Sequence, residues 1–308
     1  MSGPPDALWR PSRRTVLAGG AGLLAAGLIT ACGGDSEGGA DDPDTEPDTA
    51  GPSLVAFFDA NASIVAGSPQ RLTFGVGDAN GALVPDSAAE LSMTVRDPTG
   101  KVVGPAQTVS LHAEGLPRGY YPLTFTPPVP GTYEVATEID GREATASFTA
   151  GTLDTVRVPG AGATMPDLHT PTTADARGVD PICTAEPACP LHAVDLADAR
   201  TQGKPIALLV STPAYCQLAI CGPVLDVLLD ARTPFGESLT SIHVEVYRSA
   251  AEVERDPSQA ALAPAVEGLN LVFEPCLFLI GADGSIVKRL DTIFDAVEIR
   301  QELTALVT

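Results

Sequence analysis

Lys204-Pro205-Ile206-Ala207-Leu208-Leu209-Val210-Ser211-Thr212-Pro213-Ala214-Tyr215-Cys216-Gln217-Leu218-Ala219-Ile220-Cys221-Gly222-Pro223-Val224 decides how this 308-residue chain reads. Ile206 to Val210 is an unbroken apolar run with the length of a strand buried on both faces. After Pro223, the apolar Val224, Leu225, Val227, Leu228 and Leu229 are interrupted by Asp226 and Asp230. That spacing predicts a helix with one acidic face, and Pro223 suits its first turn. Cys216 and Cys221 lie between strand and helix. A thiol there is favoured as its anion, because free N–H groups and the helix dipole stabilise negative charge.

Working toward the C-terminus, a strand is predicted through Ile242, Val244 and Val246, then a helix near 257–271. Glu274-Pro275 leads into the apolar strand Cys276-Leu277-Phe278-Leu279-Ile280. The turn Ala282-Asp283-Gly284-Ser285, a strand from Ile286 to Leu290 and a last helix ending near Val307 complete the pattern. Over residues 160–308 this order resembles the thioredoxin superfamily. Val158-Pro159-Gly160 to Met165-Pro166-Asp167 resembles the lead-in of tethered thioredoxin-like and peroxiredoxin-like proteins. The resemblance implies an α/β thioredoxin-like domain with Pro275 in the place of the cis-proline that faces the active-site cysteines. It further implies a redox pair in which Cys216 attacks a substrate disulfide and Cys221 resolves the mixed disulfide, with Glu274 at the rim.

The cysteine gap departs from that family: four residues separate the pair here, against two. In a regular helix, residues five apart have Cα atoms about 8.7 Å apart, from 1.5 Å rise and 2.3 Å radius. A disulfide needs roughly 7 Å or less. Either Cys216 precedes the helix or the first turn unwinds on oxidation. Cys221-Gly222-Pro223 echoes the Cys-Gly-Pro-Cys of the family, with Val224 at the fourth position, so either cysteine qualifies as nucleophile. Cys216 is favoured because it follows the strand at the familiar distance. The same gap occurs in monomeric two-cysteine peroxiredoxins of the bacterioferritin-comigratory type. Their signature before the peroxidatic cysteine is missing here, where Leu209 and Pro213 stand.

Cys183 and Cys189 lie in a loop with Pro181 and Pro187, ahead of a helix predicted from Ala193 to Thr201. A structural disulfide between them is the expectation. With His192 they also offer two thiolates and an imidazole to a soft metal such as copper, but no fourth ligand is visible, and no metal or other cofactor is expected. Cys276 is expected to be buried and inert, the alternative being a third thiol that exchanges with Cys216 or Cys221.

Residues 52–150 alternate at period two. Leu72-Phe74-Val76, Leu91-Met93-Val95, Tyr121-Leu123-Phe125 and Ala144-Ala146-Phe148 each put apolar groups on one face. Asp78-Ala79-Asn80-Gly81 and Asp97-Pro98-Thr99-Gly100 are turn sequences. This predicts an antiparallel β-sandwich. Pro130-Gly131-Thr132-Tyr133-Glu134-Val135 resembles the late strand of immunoglobulin-like modules, which implies a spacer or a partner-docking module. His112 has no obvious partner. Residues 151–178 are expected to be a linker and lead-in, and 179–308 the thioredoxin-like domain.

The first 31 residues are expected to be a targeting segment. Arg10, Arg13 and Arg14 precede an uncharged run from Thr15 to Ala31, shorter than the roughly 20 apolar residues that span a bilayer. Ile29-Thr30-Ala31-Cys32 resembles the lipobox of bacterial lipoproteins, implying acylation of Cys32. Ser12-Arg13-Arg14-Thr15-Val16-Leu17 resembles a twin-arginine export signal. Residues 33–51 carry seven acids and no base, which predicts an extended, self-repelling tether over 32–51. The whole chain has a net charge of −21, which argues against nucleic acid and against electrostatic adhesion to anionic lipid.

Together these features lead to an extracytoplasmic thiol–disulfide oxidoreductase, anchored by lipid to the outer face of the cytoplasmic membrane. Its partners would be protein thiol or disulfide substrates and a redox partner. The alternatives are a non-enzymatic lipoprotein whose disulfides are structural, a peroxiredoxin-like peroxidase and, more weakly, a copper chaperone of the Sco type using His192.

Overall fold

A computed structural model describes residues 51–61, 63–78, 80–84 and 88–308. The targeting segment, Cys32 and nearly all of the acidic tether lie outside the described residues.

Eight strands come first: β1 (Ser53–Ala56), β2 (Ile64–Val65), β3 (Gln70–Gly77), β4 (Glu90–Arg96), β5 (Gln107–Ser110), β6 (Tyr121–Phe125), β7 (Gly131–Ile139) and β8 (Arg142–Gly151). They form a three-stranded sheet, β1-β3-β6, and a five-stranded sheet, β2-β8-β7-β4-β5. All pairs are antiparallel except β2 with β8. The four alternating stretches in the sequence fall on β3, β4, β6 and β8, and their apolar residues share one core. Period-two alternation works here because each sheet turns one face inward and the other to solvent. At the Asp97 turn, Asp97 Oδ1 accepts from the backbone of Thr99 and Lys101, and Gly100 takes positive φ.

The second set is α1 (Leu196–Arg200), β9 (Ile206–Val210), α2 (Cys221–Ala231), β10 (Thr240–Val244), α3 (Ala250–Arg255), α4 (Pro264–Gly268), β11 (Cys276–Ile280), β12 (Ile286–Asp291) and α5 (Ala296–Val307). Its sheet runs β10-β9-β11-β12, with β9 and β10 parallel and the other two pairs antiparallel. Every residue of β9 and β11 is buried, as the unbroken apolar runs require. Leu209, Leu277 and Leu279 pack on one face of the sheet with α2 and α5, while Leu208, Cys276 and Phe278 pack on the other. The lead-in segment lies along β12: Gly162 donates to Ile286 O, and Met165 to Gly284 O.

The single helix expected near 257–271 is replaced by α4, five residues long, preceded by α3. Pro257 and Pro264 account for this, since a proline is tolerated in a first turn and breaks a helix interior.

The described residues between 51 and 308 form one compact unit, and the all-β region is joined to the α/β region by buried polar contacts. Arg71 on β3 makes a bidentate ion pair with Glu298 on α5, at 2.5 and 2.6 Å, and donates to Ile293 O. Tyr120 donates to Glu298, and Asp295 N donates to the Tyr120 hydroxyl. His112, unpartnered in the sequence reading, sits 3.1 Å from Asp295, the N-cap of α5. Burial alone would suppress the charges of Glu298 and Asp295. Arg71 on the one and His112 on the other instead hold both carboxyls below their ordinary range.

Candidate redox site and a second cysteine cluster

Cys216 precedes the helix. β9 ends at Val210, and residues 211–220 fold back through two turns, closed by Tyr215 N to Thr212 O and Ala219 N to Cys216 O. Ala219 sits at positive φ, a conformation a non-glycine residue seldom adopts. Cys221 is the first residue of α2. Of the two geometries the cysteine gap allowed, the loop geometry holds, and the first turn of α2 stays wound.

The N-terminus of α2 has no capping side chain: Ile220 stands at the N-cap, and the first turn carries no acid. Its free N–H groups are partly met by sulfur instead. The Cys221 thiol and the backbone N–H groups of Ile220, Cys221 and Leu218 favour the anionic form of Cys216. These contacts outweigh burial and bring the Cys216 pKa down to about 6. Cys221 is fully buried. Desolvation pushes its thiol well up, and the neighbouring Cys216 anion adds to the shift. The pair is therefore asymmetric, with a half-buried thiolate outside and a protonated thiol behind it.

Glu274-Pro275 closes the site from β11. The β9–β11 register pairs Cys276 with Val210, which sets Pro275 at the end of β9 from which the cysteine loop departs. Glu274–Pro275 is a cis bond. Glu274 Oε2 is buried and makes no hydrogen bond among the described residues. Desolvation, with the charges of Cys216 and Glu245 added, raises the Glu274 carboxyl well above its ordinary range. The site therefore combines a carboxyl that holds its proton more tightly than usual with a thiol that holds its own less tightly. Cys276 is not part of this group. It is fully buried on the opposite face of the sheet, 3.8 Å from Asp291, and burial pushes its thiol up.

Cys183 and Cys189 are free thiols in the structure, so the expected crosslink between them is not formed there. They meet two imidazoles. His192 Nε2 lies 3.3 Å from Cys189 Sγ, and His243 Nδ1 lies 3.4 Å from Cys189 Sγ and 3.8 Å from Cys183 Sγ. The two ring nitrogens are 3.3 Å apart. All four residues are buried. Hydrogen bonds from Cys189 and the two imidazoles hold the Cys183 thiol well below its ordinary value, while Cys189 is pushed up.

The sequence reading missed His243. The local signal was weak, because His243 falls on the polar side of the alternation Ile242-Val244-Val246, between Ser241 and Glu245, and only the fold shows that it is buried. Thr184 joins the two cysteine sites. Its N–H and hydroxyl both donate to Glu245 Oε1, at 2.6 and 2.8 Å, and its hydroxyl accepts from Ala214 N, two residues before Cys216.

No family model matches the chain, and no curated protein matches it. Among solved structures, one stretch is similar to a Chlorobium tepidum protein described as a thiol:disulfide interchange protein DsbE. The match has 14% identity and TM-score 0.35, and covers 49% of this chain and 99% of that one. The thioredoxin domain of a Bacteroides vulgatus thiol-disulfide oxidoreductase matches at 16% identity and TM-score 0.33, over 48% of this chain and 98% of that one. A different stretch is similar to the Lin-41 filamin domain, at 19% identity and TM-score 0.23, over 33% of this chain and 94% of that one.

Proposed function

We propose that the protein is a thiol–disulfide oxidoreductase of two domains, an immunoglobulin-like sandwich carrying a thioredoxin-like domain, with Cys216 and Cys221 as its redox pair. The observation that carries this reading is the half-buried Cys216 in the loop just ahead of α2, with the buried Cys221 as the first residue of that helix. A permanently structural crosslink has no need of such asymmetry.

The Cys216 thiolate attacks one sulfur of a substrate disulfide, a mixed disulfide forms, and the other substrate sulfur leaves as a thiolate. Glu274 gives its proton to that leaving group: burial raises its carboxyl most, and loss of the Cys216 charge removes one of the two charges that add to the shift. Glu274 then takes the Cys221 proton as Cys221 attacks Cys216. The protein disulfide forms, and the second substrate thiolate departs to be protonated by solvent. Two electrons pass to the substrate, and the reverse sequence oxidises a dithiol. Pro275, at the end of β9, would border the substrate backbone.

The setting is extracytoplasmic, with Cys32 acylated and the acidic segment as spacer. The lipobox-like Ile29-Thr30-Ala31-Cys32 and the arginine-led apolar run support this. Among the described residues, no helix is long and apolar enough to cross a membrane.

The test is covalent trapping. Cys221→Ser should accumulate a mixed disulfide with a model disulfide substrate, and Cys216→Ser should form none. If the wild-type pair stays oxidised in buffers poised below about −300 mV, it is a structural crosslink and the proposal fails. Release of the protein from membranes by Cys32→Ser tests the anchor.

A further inference from the structure

Away from the redox pair, two sulfurs and two imidazole nitrogens converge on one point. Cys183 Sγ, Cys189 Sγ, His192 Nε2 and His243 Nδ1 all lie within 4.8 Å of one another. Four of the six separations among these atoms are 3.3–3.8 Å. A tetrahedral ion with bonds of about 2.3 Å to sulfur and about 2.0–2.1 Å to nitrogen would put its ligand atoms about 3.3–3.8 Å apart along each edge. The four shorter separations match those edges, and the remaining two lie within 4.8 Å, so small shifts complete a coordination shell.

The surroundings agree with the geometry. The Nε2 side of His243 is engaged by Ser211, 2.9 Å from its hydroxyl and 3.2 Å from its carbonyl. Donation to that carbonyl leaves the Nδ1 lone pair facing the sulfurs, the outer-sphere arrangement that orients a metal-bound imidazole. Cys189 N donates to Cys183 Sγ at 3.3 Å, which supports negative charge on that sulfur. Two thiolates and two neutral imidazoles around a dication sum to zero charge, so the assembly can sit buried without an unpaired ion. A Cys183–Cys189 disulfide would use the sulfurs and leave two buried imidazoles facing each other with no cation between them.

We propose that Cys183, Cys189, His192 and His243 form a closed tetrahedral site for one Zn2+ ion. All four positions are filled by protein, so the site is structural and has no place for a substrate. A mixed two-sulfur, two-nitrogen tetrahedron suits this borderline-soft cation. The ion crosslinks the loop carrying Cys183, Cys189 and His192 to the end of β10. Through Thr184 and Ala214 on one side, and His243 and Ser211 on the other, it braces the segment that leads into Cys216. This site stands or falls independently of the redox activity.

The experiment uses the full folded chain, purified reduced and without added chelator. Elemental analysis should find one zinc per chain. Cys183 and Cys189 should resist alkylation until a chelator is added, while Cys216 reacts at once. Co2+ substituted for zinc should give the intense visible bands of a tetrahedral ion with thiolate charge transfer in the ultraviolet. His243→Ala should weaken Zn2+ binding more than His192→Ala, because only His243 has its second nitrogen held by a protein partner. The Co2+ spectrum and the alkylation pattern are read on wild-type protein, so a variant that fails to fold leaves the test intact. Protein without zinc that also fails to take up added Zn2+ overturns the proposal, as does a Cys183–Cys189 disulfide in the zinc-free form isolated from cells. Stoichiometric Cu+ bound in preference to Zn2+ overturns the assignment of the metal.

Discussion

Two cysteine pairs of nearly equal spacing sit a few residues from a shared threonine, and their environments send them toward different chemistry. Cys216 and Cys221 straddle the start of a helix, one sulfur partly open and the other sealed. Cys183 and Cys189 are both sealed, and each faces imidazole. The difference teaches that spacing alone does not assign a cysteine pair. A thiolate whose only partners are hydrogen bonds remains a nucleophile. A thiolate set among other lone pairs needs a cation.

The comparison breaks most readily at the nucleophile. Cys216→Ser should cut disulfide turnover by about 10³-fold or more, as loss of a covalent catalyst does, whereas Cys183→Ser should leave the chemical step within a few-fold. Single-turnover kinetics with a model disulfide measures both, and equal losses would erase the distinction between the pairs. Next in size is the proton route. Glu274→Gln removes both the donor to the first leaving thiolate and the acceptor of the Cys221 proton, so it should slow formation and resolution of the mixed disulfide by about 10²-fold each. Rapid-quench analysis of the mixed disulfide formed by wild type and by the variant separates the two steps.

A pH series sharpens the contrast between the sulfurs. Alkylation of Cys216 should rise with pH and reach half its plateau near pH 6, while Cys276 stays unreactive in the native state. The folded pKa of Cys216 lies below its ordinary value of 9.0. Its anion therefore stabilises the reduced fold fully above about pH 9, and that stabilisation is lost as pH falls through about 6. Denaturant melts of reduced wild type and Cys216→Ser should diverge at high pH and converge in acid. The smallest effect tests the bridge between the pairs. Thr184→Ala removes one hydroxyl shared by Glu245 and Ala214, and should cost about 1 kcal/mol of stability in urea melts.

Much of the architecture was legible locally. β9, β11 and the inward faces of β3, β4, β6 and β8 follow from runs and alternations that every residue of the element helps to enforce. The helix near 257–271 did not survive its prolines, and β1, β2 and β5 are too short to show a period. The sandwich also reads as a detached spacer in the sequence. Its fusion to α5 depends on Arg71 meeting Glu298, 227 positions away, a pairing that no local pattern encodes.

By itself, then, the sequence determined the order of elements, the placing of Cys216 and Cys221 between a buried strand and a helix, and Pro275 at the head of β11. These are short-range facts, set by hydrophobic period and by proline's constraints. Tertiary structure alone decided that Cys216 lies outside the helix, that Cys276 faces away from it, and that Cys183 and Cys189 have two histidines rather than one. His243 reaches them across 60 and 54 positions, because the parallel register of β9 and β10 brings the end of β10 beside Ser211. Such a site is assembled by packing, after the elements that carry it have formed.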